Sequence, residues 1–456
     1  MPIRKIYSCE KCGAQFLKWS GRCLECGAWG TIKEETEVVE AKEKRVAKQV
    51  VGAKAVDLSA VSLEQFERKP TGIAEIDRVL GGGIVPGSLI LLGGEPGIGK
   101  STLASQIIDA VSAEMKALYV SGEESAAQVK LRLQRLGCDL THWQFVGESN
   151  LEKLTGTLDS MKPDLLVVDS IQTIYSALLP GEAGSVSQIR AAAVRLLEIA
   201  KGNDMAVIII GHITKDGQIA GPKSLEHIVD TVLSLEVDPA TGYALLRSSK
   251  NRFGSASELG VFEMTGQGFR QVANAGTAFF SAQGLSFPGM AASCVFEGTR
   301  PFFVDIQALA TKTVFGYPQR KSSGIDLNRL QVLCAVIAKR TKANVTAQDI
   351  ILNVVGGLRV SDPALDLAVC AAIISSYYNV ALSRQAVFLG EVGLGGEIRP
   401  VGKLEQRLTE AAKMGFSEAF IPETEVKAKG MKLTKIKSLS VLVESLPVNI
   451  DRTKKS

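Results

Sequence analysis

Ser88-Leu-Ile-Leu-Leu92 runs into Gly93-Gly94-Glu95-Pro96-Gly97-Ile98-Gly99-Lys100-Ser101-Thr102, and from Thr102 to Ala113 the spacing is helical. The loop fits the P-loop pattern of a glycine, four residues, then Gly-Lys-Ser, and it stands between a short apolar strand and a helix, where that pattern has a mechanism. Its glycines let backbone N–H groups turn inward around phosphate oxygens. Lys100 neutralises the β- and γ-phosphates, and the Ser101 hydroxyl is a ligand for Mg²⁺. Gly94 to Thr102 is therefore the candidate nucleotide-binding segment.

Working outward, Ala117 to Val120, Leu165 to Val168 and Val207 to Ile210 are continuous apolar runs, the pattern of strands buried on both faces of a parallel sheet. Ser125 with Gln128 makes a capping box for a helix to about Leu136, and Ser187 to Lys201 has helical spacing. Strand, crossover helix, strand is the signature of an α/β fold. Thr231 to Val237 and Tyr243 to Ser248 then read as an antiparallel hairpin appended to the sheet. Turn residues at Asn274 to Gly276 mark a boundary, followed by an α+β domain with a strand over Phe302 to Leu309 and helices over Asp326 to Arg340 and Pro363 to about Tyr378. Upstream, residues 8–30 are a compact Cys/Gly/Trp unit, and Lys33 to about Ala60 lacks a sustained apolar face. The expected domains are 1–30, a linker over 31–60, a core over 61–273 and a second domain over 274–456.

Apolar residues at 46% against 22% charged, over 456 residues, exclude wholesale disorder. The net charge of +4, from 52 Lys+Arg against 48 Asp+Glu, is too small to indicate nucleic acid, so that case rests on local patches. Leu367 to Ile374, the most apolar stretch, is far short of the roughly 20 residues that span a bilayer. Arg4 and Lys5 lead to Cys9, Glu10 and Lys11 rather than to the apolar segment of a signal peptide, so no membrane association and a cytoplasmic location are expected.

Around the loop, Asp169 ends the Leu165 to Val168 strand, where it either caps the turn at Ser170 or reaches a metal or its water shell; beside a phosphate loop the metal role is the better reading. Glu123 and Glu124 follow another strand, where a carboxylate orients the attacking water, and Glu123 is closer to the strand tip. His212, one of three histidines, is either a buried, satisfied imidazole or a γ-phosphate sensor. Lys250-Asn-Arg252-Phe-Gly254 is a solvated turn or a finger that places a cation on a neighbouring subunit's γ-phosphate. Cys9-x₂-Cys12 and Cys23-x₂-Cys26, separated by ten residues, supply the four thiolates of a closed, structural Zn²⁺ site. Lys18, Trp19 and Arg22 on the intervening loop either contact a partner or pack over the module.

These motifs, in this order, resemble the bacterial RadA/Sms family of DNA-repair proteins over nearly the whole chain. The Cys₄ element, the Gly94 to Thr102 loop, Ser121-Gly-Glu-Glu-Ser125, Val168-Asp-Ser170, Gly211 to Lys215 and Lys250 to Gly254 look like that family's zinc finger and RecA-like ATPase core. Gly356-Gly357, Asp362-Pro-Ala364, Gly390-Glu-Val-Gly-Leu394 and Gly396-Glu-Ile398 resemble the Lon protease domain, of the ribosomal S5 domain 2-like fold. Where the protease has its serine this chain has Ala364, and where it has its lysine this chain has Glu405, with Lys403 two residues before. Neither replacement supplies the nucleophile or base. The resemblance implies a hexameric ring that hydrolyses ATP with Mg²⁺, binds single-stranded DNA and drives branch migration of branched recombination intermediates alongside the RecA recombinase at the nucleoid. The alternatives are a regulatory RecA-like ATPase, since such cores also serve regulation, and an ATP-dependent Lon-type protease using Ser361 or Lys403. For DNA the candidate pore groups are Lys215, Lys223, Lys250 and Arg252, with Arg300, Arg320 and Lys321 on the second domain. The family shows Asn-Pro-Ser at the domain junction where this chain has Asn274-Ala-Gly276, a departure that bears on interdomain stiffness.

Overall fold

The computed structural model describes residues 3–11, 15–16, 18–23, 25, 27–38, 59, 67–211, 223–238, 241–272, 276, 280, 286–314, 316–355 and 359–447. Cys12, Cys26, His212, Lys215, Asn274 and Gly356-Gly357 lie outside them, as does most of the expected linker.

At the N-terminus three strands, β1 (Ile3–Cys9), β2 (Gln15–Phe16) and β3 (Ile32–Val38), form a sheet in the order β2-β1-β3. Here the structure differs from the sequence reading, because the head of the expected linker is a strand. β3 pairs antiparallel with β1 from Ile3↔Val38 to Cys9↔Ile32. Ladder hydrogen bonds, which an apolar-periodicity reading does not register, hold this polar segment.

The main sheet is built from α1 (Ala74–Leu80), β4 (Leu89–Gly94), α2 (Lys100–Val111), β5 (Ala117–Ser121), α3 (Ala126–Leu136), β6 (Gln144–Val146), α4 (Leu151–Met161), β7 (Leu165–Asp169), α5 (Val186–Gly202), β8 (Ala206–Ile210), α6 (Lys223–Glu226), β9 (Thr231–Val237), β10 (Tyr243–Asn251), β11 (Leu259–Thr265) and β12 (Gly268–Gln271). Its strand order is β12-β11-β10-β9-β4-β8-β7-β5-β6. From β9 to β6 every neighbouring pair is parallel, so the carboxyl ends of these strands share one edge. Every residue of β4, β5, β7 and β8 is buried, which is why they read as unbroken apolar runs. The capping box at Ser125 is present, with its hydroxyl accepting from Gln128 N–H, and it starts α3 immediately after the tip of β5. The first strand of the expected hairpin lies beside β4, from Ile90↔Thr231 to Gly94↔Leu235.

By internal contacts the chain divides into two units, Met1–Glu236 with Leu246–Ala256 and Met264–Arg270, and Val237–Leu245 with Ser257–Glu263 and Gln271–Ser456. In the second unit β13 (Met290–Glu297), β14 (Arg300–Lys312), β15 (Arg320–Ser323), α7 (Leu327–Arg340), β16 (Gln348–Val354), α8 (Asp366–Tyr378), β17 (Ala386–Phe388), β18 (Glu391–Val392), β19 (Ile398–Arg399), α9 (Leu404–Lys413), β20 (Glu418–Pro422), β21 (Lys432–Ile436) and α10 (Leu439–Ser445) follow in turn. Seven strands order as β15-β16-β14-β13-β17-β20-β21. Strand alternation splits its core: Phe302, Val304 and Ile306 join α7, α8 and α10, whereas Phe303, Ala292 and Cys294 join Leu404 and Leu408 of α9. Pro363 opens a short 3₁₀ turn, Pro363–Leu365, before α8, a tighter start than one continuous helix.

Candidate nucleotide site

Lys100 is the first residue of α2 and Gly99 its N-cap, with φ +105°. A Cβ on Gly99 would fall 2.6 Å from Met264 Cε and 2.8 Å from Phe269 Cζ, so glycine is required here both by conformation and by the close approach of β11 and β12. Those strands carry no motif, and the sequence reading missed this support. Lys100 is 4% exposed, and its Nζ donates to the carbonyls of Gly94 (2.9 Å) and Glu95 (2.8 Å). Burial lowers its pKa, and the nearby Asp169 and Glu123 carboxylates oppose that. These three groups, taken from separate motifs, are therefore electrostatic neighbours.

The register Ser121↔Asp169 brings the tips of β5 and β7 side by side. Gly122 continues from β5 with its N–H donating to Asp169 O (3.3 Å), and a Cβ there would lie 2.5 Å from both Ser149 Oγ and Thr173 Oγ1. The two adjacent acids, inseparable in the sequence, diverge: Glu123 Oε1 accepts from Ser170 Oγ, next to Asp169, while Glu124 accepts from Arg132 on α3. Asp169 is 5% exposed and accepts from the Tyr119 hydroxyl. Burial first, and then Asp169, push the Tyr119 pKa up. Ser101 and Asp169 offer hard oxygens, a hydroxyl and a carboxylate, which suit Mg²⁺. Gln172 sits near Gly211 at the end of β8, and its Oε1 is buried without a hydrogen-bond partner.

The basic turn is elsewhere. Asp230, just before β9, makes one backbone and one side-chain hydrogen bond with the first residue of β4: its N–H donates to Leu89 O (2.9 Å) and its Oδ2 accepts from Leu89 N–H (3.1 Å). Arg252 N–H donates to Asp230 O (3.1 Å), and its guanidinium lies 3.4 Å from Asp230 Oδ1 while 52% exposed. Lys250 Nζ donates to the carbonyls of Glu226 and Val229 (2.8 Å for the latter), and burial lowers its pKa. Asn251 Nδ2 donates to the carbonyls of Val79 and Leu80, which holds the turn on the end of α1. Because Leu89 and Gly94 are the two ends of β4, Arg252 stands at the amino edge of the sheet, roughly 17 Å along the strand from the phosphate loop. Lys223 opens α6.

In the N-terminal module, Cys9 and Cys23 are buried together with Ile32. Cys23 N–H donates to Ala28 O (2.8 Å) and Gly27 N–H to Cys23 O (3.0 Å), the tight turn by which a knuckle holds its thiolate. Two buried thiols in one cluster are a donor set that zinc fits. Trp19 and Trp29 are 65% and 75% exposed, and the Arg22 guanidinium lies 5.9 Å from the Trp29 ring centroid. Of the scattered cysteines Cys294, Cys334 and Cys370 are buried, whereas Cys138 is half-buried beside Asp109; burial pushes the Cys294 thiol up to about 12.

In the second unit Ala364 is fully buried and Glu405 exposed. Lys403 Nζ donates to Gly298 O (2.9 Å) and lies 4.4 Å from the Phe296 ring centroid. Arg407, 4% exposed, pairs with Asp362 (2.7 Å), donates to the carbonyls of Gly402 and Cys294, and stacks on Phe296 at 4.8 Å. Arg320 donates to the carbonyls of Gln319, Gln348 and Val345, the Arg300 guanidinium lies 5.5 Å from the Phe302 ring, and Lys321 is exposed on β15.

Among the described residues no helix is long and apolar enough to cross a membrane. Family profiles match three segments: a rubredoxin metal binding domain over residues 7–34, an AAA domain over 55–218 and subunit ChlI of Mg-chelatase over 319–425. The chain is 44% identical to the DNA repair protein RadA of Streptococcus pyogenes, over 92% of this chain and 93% of that protein. It is 42% identical to the protein of that name from Escherichia coli (96% and 97%) and 41% identical to the one from Halalkalibacterium halodurans (98% of each). A solved KaiC-like protein from Pyrococcus horikoshii aligns with a TM-score of 0.39 at 24% identity, over 45% of this chain and 99% of its own.

Proposed function

The chain belongs to the RadA family of DNA repair proteins, and on that premise we propose that it is a DNA-dependent ATPase, a motor that binds single-stranded DNA and drives branch migration of recombination intermediates alongside the RecA recombinase. Its fold is an α/β RecA-like ATPase core with an N-terminal zinc ribbon and a C-terminal Lon-like domain. The observation that carries the proposal is a divided site. Lys100, Glu123 and Asp169 gather at the carboxyl edge of the sheet, and Arg252 is pinned at the amino edge.

Arg252 is too far from its own phosphate loop to serve it. A cation held there serves the loop of a neighbouring copy, which makes hydrolysis depend on assembly and supports a ring, taken here as a hexamer. Within one subunit, backbone N–H groups from Gly94 to Thr102 and the Lys100 ammonium bind the phosphates, and Ser101 with Asp169 holds Mg²⁺. That ion supplies charge neutralisation on the phosphate oxygens. Glu123, steadied by Ser170, orients the attacking water; Glu124 is occupied by Arg132. His212 is assigned to sensing the γ-phosphate. Of the four candidate DNA groups, Lys215 and Lys223 are assigned to the DNA phosphates, which need only a few cations per subunit; Lys250 is held by the Glu226 and Val229 carbonyls and Arg252 is given to the neighbouring loop.

Cys9, Cys12, Cys23 and Cys26 hold one structural Zn²⁺ in residues 1–30, ahead of the linker over 31–60, the ATPase domain over 61–273 and the Lon-like domain over 274–456. Metal analysis should find one zinc per chain; stoichiometric metal in a Cys9→Ser, Cys12→Ser protein would rule the assignment out. The Lon-like domain is assigned no proteolysis, supported by Ala364 and Glu405 in place of the dyad. The protein is placed in the cytoplasm at the nucleoid. The deciding experiment is ATP hydrolysis with and without single-stranded DNA across a salt series. Stimulation that fades with salt is expected, and a rate indifferent to DNA would turn the reading to a regulatory ATPase.

A further inference from the structure

Tyr119 lies in the middle of β5 and is fully buried between Leu118 and Val120. Phenylalanine would fill the same space, and a buried hydroxyl is costly unless its hydrogen bonds are made. This hydroxyl makes two, of opposite sense: it donates to Asp169 Oδ2 and accepts from Arg132 Nη2 at 2.9 Å. A phenol has a single O–H proton. Arg132 has no lone pair to offer, so its approach claims the acceptor side of the oxygen and directs that proton at Asp169. The guanidinium also lies 5.6 Å from the Tyr119 ring centroid and pairs with Glu124, its own side chain 10% exposed. Trp143, just before β6, lies beside the ring, centroids 6.0 Å apart. The chain Glu124, Arg132, Tyr119, Asp169 thus runs in one direction through Arg132 Nη1, Arg132 Nη2 and the phenol, while Arg132 Nε is buried without a partner.

We propose that Tyr119, set by Arg132, is a positioning residue for Mg²⁺ binding: it holds Asp169 Oδ2 so that the carboxylate presents its other oxygen to the ion that accompanies the nucleotide. The inference rests on the assignment of Asp169 to the metal made above. It also gives Glu124 a part distinct from that of Glu123, as the counter-charge that keeps Arg132 in place. Outer hydrogen-bond partners of a metal-ligating group set its orientation, and their loss weakens metal affinity by about 10- to 100-fold.

The test measures binding of a fluorescent ATP analogue to the full chain, first in EDTA and then across a Mg²⁺ titration, for wild type, Tyr119→Phe, Arg132→Met and Asp169→Asn. In Tyr119→Phe the nucleotide affinity in EDTA is expected to stay at the wild-type value, while the Mg²⁺ concentration that gives half of the gain in affinity rises about 10-fold. Arg132→Met is expected to shift it in the same direction by less, because the hydroxyl remains but is free to turn. A purely structural hydroxyl would lower the unfolding midpoint and leave the Mg²⁺ titration unmoved. If Asp169→Asn shifts the titration and Tyr119→Phe superimposes on wild type, the positioning role is overturned while Asp169 keeps its assignment. If Asp169→Asn shifts nothing, both fall. Should Tyr119→Phe not fold, Arg132→Met decides the matter by the same criterion.

Discussion

Among the described residues two cations are buried near carboxylates, Lys100 and Arg407, and they are held in opposite ways. At the phosphate loop, Lys100 bonds to carbonyls of its own loop, Gly94 and Glu95, while Asp169 and Glu123 act on it through space. In the second unit, Arg407 is tied to Asp362, to two carbonyls and to the Phe296 ring. A lysine with two of its three donors on loop carbonyls and acids close by is an arrangement that a phosphate group completes. A guanidinium with its fork filled and one face covered is a packing element. The difference shows that a charged cluster is judged by what its hydrogen-bonding atoms already do: Lys100 keeps a donor for a ligand, and Arg407 has its donors and one face taken up by the protein.

That contrast breaks first at Lys100. Lys100→Ala is expected to abolish ATP turnover in a phosphate-release assay; retained hydrolysis would take the loop out of the mechanism. Next, Arg252→Ala should lower turnover on the order of 10³-fold, the scale of a trans-acting arginine, with part of the activity restored when wild-type subunits are mixed in. Activity that merely dilutes in proportion would deny the trans role. Arg407→Ala should leave the 13% exposed Asp362 with only its backbone donors, Phe296 N–H and Ala364 N–H, and cost about 3 kcal/mol in the unfolding of the second unit by urea, an effect on stability that Lys100→Ala does not share. If instead Arg407→Ala left stability unchanged and removed ATPase activity, the distinction drawn between the two clusters would be lost. The smallest effect is expected for Ala364→Ser combined with Glu405→Lys, which should yield no cleavage of casein, since Arg407 and Asp362 stay locked together beside the restored pair.

Much of this was legible in one dimension. The phosphate loop, the buried parallel strands and the paired Cys-x₂-Cys knuckles each depend on residues close in sequence, where spacing alone dictates geometry. The strand at Ile32–Val38 was not, because its place depends on pairing with Ile3–Cys9 rather than on an apolar face. Met264 and Phe269, which crowd Gly99, come from strands with no motif and meet the loop only across the sheet. Tyr119 was readable in principle, as a hydroxyl in the middle of an apolar strand that had to find a partner, yet nothing in the order of residues names Arg132 and Asp169 as that partner.

By itself, then, the chain's order of residues determined which groups are chemically able to act: the cradle of glycines, Lys100, the acids at strand tips and the thiols. Only the tertiary structure decided which of them face one another. It turned Glu123 towards Ser170 and Glu124 towards Arg132, and it put Arg252 at the far end of β4 from Lys100. The physical reason is that residue type and local spacing set backbone conformation within a turn or a strand. Which groups then face one another is set by strand register, crossover connections and packing, acting over eight residues for Glu124 and Arg132 and over 47 for Glu123 and Ser170.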